Sequence, residues 1–247
     1  MKNDQPIIAL DFDSKERALE FLELFNHESL NVKIGMELFY SAGPDFVKEV
    51  VDAGHKVFLD LKLYDIPNTV QHAMTQLAEL GVSMINVHAS GGIQMMKAAK
   101  EGLEAGVKSG QDRPMLIAVT QLTSRDSDTN MYEQQLAISQ NESILHLAKL
   151  TKESGLDGVV CSPLEAERIK EVVGGDFQTV TPGIRLANHA IQNDDQVRIT
   201  TPIKAASMGS DYIVVGRPIT KSSEPVEVYR QVLDEWKSVV RGESNDK

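Results

Sequence analysis

One stretch decides the fold: Phe58-Leu-Asp-Leu-Lys-Leu-Tyr-Asp-Ile-Pro-Asn-Thr69. It begins in an apolar run that starts at Lys56, continues through a short polar turn and reaches Pro67, a residue that suits the first turn of a helix. An apolar run, a turn and a helix start together form the unit of a strand-helix repeat. We therefore expect the same unit elsewhere in the chain.

The unit recurs along the sequence, because further short apolar runs alternate with segments of helical periodicity. Most of these runs are continuous Val, Ile and Leu stretches, which is typical of parallel strands covered by helices. The runs span residues 7–12, 31–34, 56–61, 83–88, 115–120, 158–161, 178–181 and 212–215. Helical patterns span about 43–53, a segment from an N-cap near Asn141, and Pro225–Val240.

Eight such units predict an α/β fold, the (β/α)8 TIM barrel, which typically takes roughly 250 residues. An open, doubly wound sheet is the alternative architecture. No linker or compositional break divides the chain, so we expect one domain over residues 1–247, with a polar, fraying tail at 241–247.

The composition excludes several function classes. A formal net charge of −11 argues against nucleic-acid binding, which requires a basic face. No window approaches 18 apolar residues and no signal region opens the chain, so we expect a cytoplasmic protein without a membrane partner. The single cysteine, Cys161, excludes an intramolecular disulfide and a cysteine-based zinc cluster.

Charged residues gather where three consecutive strands end. Asp11 ends the first strand, Lys33 the second, and Asp60 and Lys62 the third, where strand alternation points both side chains to one face. Carboxyl ends of barrel strands converge on one mouth, where TIM-barrel chemistry is built. A structural ion pair is the alternative for Asp60 and Lys62, and capping of the next helix is the alternative for Asp65.

Two features predict how the mouth binds an anion. Val214-Val-Gly-Arg-Pro218 follows the eighth strand, where TIM barrels commonly bind phosphate at a helix start. Gly216 allows close backbone approach and Arg217 offers a guanidinium fork. The long connections at 120–140 and 181–201 also lie at this mouth, and the second reads as a candidate lid.

The string Asp60-Leu-Lys-Leu-Tyr-Asp-Ile-Pro-Asn-Thr69 resembles the active-site signature of the orotidine 5′-phosphate decarboxylase family. The resemblance covers nearly the whole chain. Its other matching segments follow in the expected order: Leu10-Asp-Phe12, Lys33, Thr123-Ser124, Thr181-Pro-Gly-Ile-Arg185, Asp195-Gln196 and Val215-Gly-Arg217.

The resemblance implies decarboxylation of orotidine 5′-phosphate to uridine 5′-phosphate without a metal or an organic cofactor. In the family pattern Lys62 protonates C6 of the pyrimidine and Asp60 lies against the departing carboxylate. Lys33 orients this network and touches the ribose, and Asp11 binds a ribose hydroxyl. Asp65 completes the charge array, in which two lysines alternate with two aspartates so that the net charge stays near zero.

The remaining roles also follow from the resemblance. A homodimer is implied, in which Asp65 and Thr69 reach the site of the partner subunit. Thr123 and Ser124 are expected to bind the pyrimidine. The phosphate is assigned to Arg185, Gln196, Gly216 and Arg217.

Two rival functions remain. A magnesium-dependent keto-sugar-phosphate decarboxylase or hexulose phosphate synthase shares the Asp-x-Lys-x-x-Asp core, but those relatives place an acidic residue where Lys33 stands, and a lysine there opposes a cation. A catalytically inactive barrel that senses nucleotides is the other rival, although none of the expected site positions is visibly lost.

Overall fold

The computed structural model describes residues 1–124, 132–187 and 199–240. Eight parallel strands close into a barrel in sequence order, with helices between them, so the predicted (β/α)8 TIM barrel is confirmed and the open sheet is wrong. The strands are β1 Ile7–Ala9, β2 Asn31–Gly35, β3 Lys56–Leu63, β4 Met84–His88, β5 Met115–Val119, β6 Gly158–Val160, β7 Gln178–Thr181 and β8 Tyr212–Val215.

Helices connect the strands on the outside of the barrel. Over the described ranges, none of them combines the length and the apolar character needed to cross a bilayer. The polar tail predicted at 241–247 lies outside the described residues. The helices are α1 Lys15–Glu23, α2 Met36–Asp52, α3 Pro67–Ala78, α4 Gly92–Gly106, α5 Gln140–Glu153, α6 Pro163–Val173, α7 Pro202–Ser207, α8 Arg217–Thr220 and α9 Pro225–Val240.

Several strands end earlier than the apolar runs predict. The ladder stops at Ala9 in β1, at Val119 in β5 and at Val160 in β6, although the runs extend one to three residues further. Apart from Asp11, which lines the cavity, the extra residues are apolar or small and stay buried after leaving the ladder: Phe12, Thr120 and Cys161 are all buried. Burial at the mouth of the barrel therefore makes the apolar run longer than the strand.

Two helix starts also differ from the prediction. The segment predicted at 43–53 is the second part of α2, which begins at Met36 and is interrupted at Gly43, with φ 76°, directly before Pro44. Helix α5 is capped by Ser139, two residues before the predicted Asn141: Ser139 accepts from the amide of Glu142, whose carboxylate accepts from the Ser139 amide. This reciprocal capping box fixes the start of α5.

The side chains of each strand divide between two cores. Inward-facing residues fill the barrel, including Ile7, Phe58 and Val214. Outward-facing residues such as Leu59 pack against the helices, and the partly buried Leu61 and Leu63 pack against the same outer cluster. In β3 this alternation leaves Asp60 and Lys62 on the inner side, above Phe58.

Helices α3 and α4 pack unusually closely. A Cβ atom on Gly102 would lie 2.0 Å from the carbonyl oxygen of Gln71, and one on Gly106 would lie 2.2 Å from that of Thr75. The Thr75 hydroxyl donates to the carbonyl of Gly102 at 3.0 Å. This contact holds α3 in place, and with it the segment at 64–66 that joins β3 to α3.

Candidate active site

A cavity of about 460 Å³ opens at the carboxyl ends of the strands. This volume lies in the range of small-molecule sites, roughly 300–1,000 Å³. Most of the residues predicted from the sequence line it together: Asp11, Lys33, Asp60, Lys62, Thr123, Ser124, Arg185, Gly216 and Arg217. Asp65 and Thr69 are exposed outside the cavity, and Gln196 lies outside the described residues.

Four of these side chains form a connected charged cluster on one wall. The Nζ atom of Lys33 lies 3.0 Å from Oδ1 of Asp11 and 3.4 Å from Oδ2 of Asp60. The Nζ atom of Lys62 lies 2.7 Å from Oδ1 of Asp60. Asp60 therefore bridges two ammonium groups. We call Asp11, Lys33, Asp60 and Lys62 the charged cluster.

The cluster stabilises the ionised forms of its two most buried members. Burial by itself would raise the pKa of Asp60, but Lys33, Lys62 and the amide of Asn86 outweigh it, so that pKa lies below its ordinary value of 3.8. Burial by itself would lower the pKa of Lys33, but Asp60 and Asp11 outweigh it, so that pKa lies above 10.5. Both side chains are nearly buried, 11% and 12% exposed, where such compensation is required.

The backbone of β3 departs from regular geometry at the cluster. Leu59 pairs with Ile85 and Leu63 pairs with Val87, so residues 60–62 lie opposite a single residue of β4. Lys62 has a φ of 52°, a left-handed conformation that costs a non-glycine residue about 1 kcal/mol or more. This bulge aims the end of the strand into the cavity.

Asn86 is the β4 residue opposite the bulge, and it was not among the residues predicted for the site. Its Nδ2 donates to Oδ1 of Asp60 at 2.6 Å, and its Oδ1 accepts from the backbone amide of Lys62 at 2.8 Å. The signal available in the sequence was one amide inside the otherwise apolar run of β4.

Gly35 makes room for the ammonium of Lys33. A Cβ atom at this position would lie 3.2 Å from Nζ of Lys33 and 3.6 Å from Oδ1 of Asp11. Its φ of −89° is open to any residue, so the constraint is space and not backbone conformation. The glycine at the end of β2 thus belongs to the site.

A second wall carries the predicted anion-binding residues. Arg217 is the first residue of α8, directly after Gly216, and Lys221 follows that short helix on the same wall. Arg185 is buried, and its amide donates to the carbonyl of Thr200 at 2.8 Å. The amide of Thr200 in turn donates to the carbonyl of Gly183 at 3.0 Å, so the two ends of the 181–201 connection are joined. The lid predicted within it falls mostly on 188–198, outside the described residues.

The third wall follows β5, where Thr123 is buried and Ser124 is exposed. Gln121 also lines the cavity, and its Nε2 donates to the Ser143 hydroxyl of α5 at 3.1 Å. No spacing in the sequence marks a glutamine in a long connection, so Gln121 was not predicted. Leu122, Pro182 and Lys221 line the cavity as well and were not predicted either.

Asp65 is not the N-cap of α3, although capping of this helix was the alternative role considered for it. The N-cap residue is Ile66, which makes no side-chain capping bond, and Oδ1 of Asp65 accepts from the amide of Ile66 itself at 2.6 Å. Its neighbours Tyr64 and Ile66 are large apolar residues, 63% and 65% exposed. Two exposed apolar side chains therefore flank Asp65 in the chain.

His88 ends β4 close to the cluster. Among the described residues its ring forms no hydrogen bond, and it contacts the ring of Tyr64 at a centroid distance of 5.9 Å. Burial, and then the charge of Lys62, hold the pKa of His88 below its ordinary 6.5. The imidazole is therefore neutral at pH 7.

Comparison with known proteins then identifies the family. The family model described as "Orotidine 5'-phosphate decarboxylase / HUMPS family" matches residues 4–232. The chain belongs to this family. A member from Listeria innocua, named orotidine 5′-phosphate decarboxylase, is 59% identical over 234 residues, covering 94% of this chain and 99% of the relative.

Other members of the decarboxylase family agree. A protein of the same name from Bacillus mycoides is 54% identical over 235 residues, covering 94% of this chain and 97% of its own. The crystal structure of orotidine 5′-phosphate decarboxylase from Lactobacillus acidophilus superposes with a TM-score of 0.82 at 44% identity, covering 94% of this chain and 98% of that one. The likeness spans nearly the whole length of these relatives.

Proposed function

We propose that this chain decarboxylates orotidine 5′-phosphate to uridine 5′-phosphate and CO2, the last step of de novo pyrimidine biosynthesis. The enzyme is thus a carbon-carbon lyase. The observation that carries the proposal is the bridging of two lysine ammonium groups by Asp60 in a cavity that Arg217 also lines. The names of the relatives at 54–59% identity support the same reaction.

The charged cluster suits this chemistry. In the proposal the C6 carboxylate of the pyrimidine lies against Asp60, and the C6–carboxylate bond breaks to release CO2. The electron pair stays on C6 and takes a proton from the Lys62 ammonium, which is held 2.7 Å from Asp60. Solvent then returns the proton to Lys62. An ammonium fixed beside the developing carbanion stabilises charge without reorganisation at the moment of reaction.

Repulsion between Asp60 and the substrate carboxylate contributes only part of the effect. Two like charges about 4 Å apart repel by roughly 4 kcal/mol at an effective dielectric of 20. Enzymes must remove about 8–23 kcal/mol from their barriers. The larger share therefore comes from the preorganised ammonium of Lys62, supported by Lys33 and Asp11 on the ribose side.

In this proposal the wall that carries Arg217 binds the phosphate, and we call it the phosphate wall. Arg217 and Gly216 meet the phosphate at the start of α8, Arg185 approaches from the 181–201 connection, and Gln196 adds a further contact. Thr123 and Ser124 contact the pyrimidine. Binding of the remote phosphate supplies free energy that is used at the reacting carbon.

The magnesium-dependent alternative conflicts with the position of Lys33. Its ammonium lies within 3.0 Å and 3.4 Å of the Asp11 and Asp60 carboxylates, where a divalent cation would need those oxygens. A cation of charge +2 beside that ammonium is strongly disfavoured.

A single assay separates these functions. We expect the purified protein to convert orotidine 5′-phosphate to uridine 5′-phosphate, followed by the loss of substrate absorbance, with equal rates in excess chelator and in added Mg²⁺. Activity that disappears with chelator and returns with Mg²⁺ would favour the keto-sugar enzymes. Binding of the nucleotide without turnover would favour a sensor.

We also propose a homodimer in which Asp65 and Thr69 enter the partner subunit's site. The exposed Tyr64 and Ile66 beside Asp65 support this, because large apolar patches commonly mark protein interfaces. Mixing inactive Lys62→Ala and Asp65→Asn proteins tests it, since a shared site regenerates about a quarter of the wild-type activity in random dimers. A mixture that stays inactive would contradict shared sites.

We propose further that residues 1–247 form one domain acting in the cytoplasm. The strands of the barrel extend from Ile7 to Val215, which leaves little chain for a second core. The substrate is a charged phosphate ester that does not cross a bilayer unaided, because burying its charge is very unfavourable. Limited proteolysis and cell fractionation test the two statements.

A further inference from the structure

Asn86 is a fully buried amide at the centre of β4, between the apolar residues Ile85 and Val87. Burying an amide is unfavourable unless its groups form hydrogen bonds. A valine or isoleucine would suit a parallel strand better at this position. The two hydrogen bonds of the Asn86 side chain offset the unfavourable burial of its amide.

The orientation of the Asn86 amide is fixed by its partners. The backbone N–H of Lys62 can only donate, so it faces Oδ1 of Asn86, at 2.8 Å. The ionised carboxylate of Asp60 can only accept, so it faces Nδ2, at 2.6 Å. One side chain thus joins the carboxylate of Asp60 to the main chain of Lys62.

These bonds lie where the ladder between β3 and β4 is interrupted. Residues 60–62 stand opposite Asn86 alone, and Lys62 adopts a φ of 52°. Without a partner from β4, the amide of Lys62 would be left unsatisfied beside the cavity. The side chain of Asn86 takes the place of the missing ladder contact and stabilises the left-handed conformation.

We propose that Asn86 is a positioning residue for the decarboxylation. It sets the Asp60 carboxylate toward the substrate carboxylate and holds the Lys62 backbone so that the ammonium reaches C6. It touches no reacting atom itself, and it is absent from the cavity lining. This inference rests on the proposed function, because it assigns a task within the same reaction.

The Asn86→Ala variant separates positioning from binding. We expect kcat for orotidine 5′-phosphate to fall about 100-fold, or ~2.7 kcal/mol, because the cluster loses its preorganised geometry. The KM and the affinity for uridine 5′-phosphate, measured by calorimetry, should change by less than about threefold, since the phosphate wall is intact.

The Asn86→Asp variant adds a readout that a purely structural role would not move. It keeps an acceptor for the Lys62 amide but places a second carboxylate against Asp60, and two carboxylates at this distance share one proton. The shared proton restores a donor toward Asp60, so kcat relative to wild type should fall as the pH rises from 5 to about 9. This variant has nearly the size of asparagine, so it decides the matter if the alanine variant does not fold.

Thr179→Val is a matched control. Thr179 is also fully buried in a strand, and its hydroxyl bonds to Asp211 at 3.0 Å, near the start of β7 and away from the cavity. We expect it to lower the melting temperature but to leave kcat within about twofold of wild type.

Three outcomes would overturn the proposal: a folded Asn86→Ala enzyme with kcat within about threefold of wild type, an Asn86→Asp to wild-type kcat ratio that is constant with pH, or an equal loss of kcat in Thr179→Val. Failure of the proposed function looks different, because the wild-type protein itself would then release no CO2 from orotidine 5′-phosphate.

Discussion

The wall formed by the charged cluster, which we call the strand wall, and the phosphate wall are built differently. Lys33, Asp60 and Lys62 stand on β2 and β3 and are linked through Asp60, with Asn86 of β4 behind them. The phosphate wall comes from the connection after β7 and from the four-residue helix α8. One wall is therefore fixed by the barrel itself, and the other by the segments that leave it.

This difference matches the tasks that we assign to the walls. Charge that develops at a carbon atom must be met by groups already in place, so the reacting groups gain from a rigid strand and a shared hydrogen-bond network. A phosphate must enter and leave, which suits residues at the ends of long connections. The contrast predicts that changes on the strand wall alter kcat, whereas changes on the phosphate wall alter binding first.

The largest effect is expected from Lys62→Ala. It removes the proton donor and leaves Asp60 with one ammonium partner, so kcat should fall by about 10⁴-fold or more, ~5.5 kcal/mol. Steady-state kinetics and circular dichroism check the loss and the fold. Lys97→Ala, an exposed lysine of α4, is the control and should behave as wild type. A loss of less than tenfold in Lys62→Ala would show that another group is the acid.

A smaller loss is expected from Arg217→Ala, about 10²–10³-fold in kcat/KM and mostly through KM, because a charge-assisted contact to the phosphate disappears. With orotidine, which lacks the phosphate, wild type and variant should react equally, and wild-type turnover should be lower than with the phosphorylated substrate. Equal turnover of both substrates by the wild type would remove the proposed role of the phosphate wall. Arg168→Ala, an exposed arginine of α6, is the matched control.

The Gly35→Ala variant tests the strand wall without removing a charge. A methyl group 3.2 Å from Nζ of Lys33 should displace the ammonium by a few tenths of an ångström and lower kcat about tenfold. In Gly175→Ala the methyl group meets nothing within 4 Å, so activity should be unchanged. Equal activity of the two variants would show that the position of Lys33 is not critical.

The smallest effect concerns pH. The pKa of Asp60 is lowered and that of Lys33 is raised, so both keep their charges from about pH 6.5 to 9, and kcat should vary less than about twofold there. Asp60 stabilises the fold above its unfolded-state pKa, and this contribution is lost as the pH falls through the lowered folded value. The contribution of Lys33 is lost only as the pH rises through a value above 10.5.

Histidines shift the stability in a different window. Burial lowers the pKa of His55, and burial together with Lys62 lowers that of His88, so the unfolded chain binds protons first. The free energy of unfolding, measured with denaturant, should therefore begin to decrease below about pH 6.5, well before Asp60 is protonated. For the pH dependence of activity described above, a step in the kcat profile between pH 7 and 9 would contradict the assignment of the charged cluster.

Much of the fold could be predicted because each strand is an apolar run between turns. The ends of β1, β5 and β6 could not, since burial continues beyond the ladder. In the site, Asp11, Lys33, Asp60 and Lys62 could be predicted because they are charged residues at strand ends. Asn86 could not be predicted, because its importance comes from an interrupted pairing between two strands, which no spacing within either strand reveals.

The three-against-one pairing of β3 with Asn86 makes this segment intolerant of changes in length. Deleting or inserting one residue within 60–62 would exchange the faces of the strand, turning Leu61 toward the cavity and the Lys62 ammonium toward the apolar layer beneath the helices. A substitution here changes one side chain, whereas a change of one residue in length would disrupt the charged cluster and part of the core together.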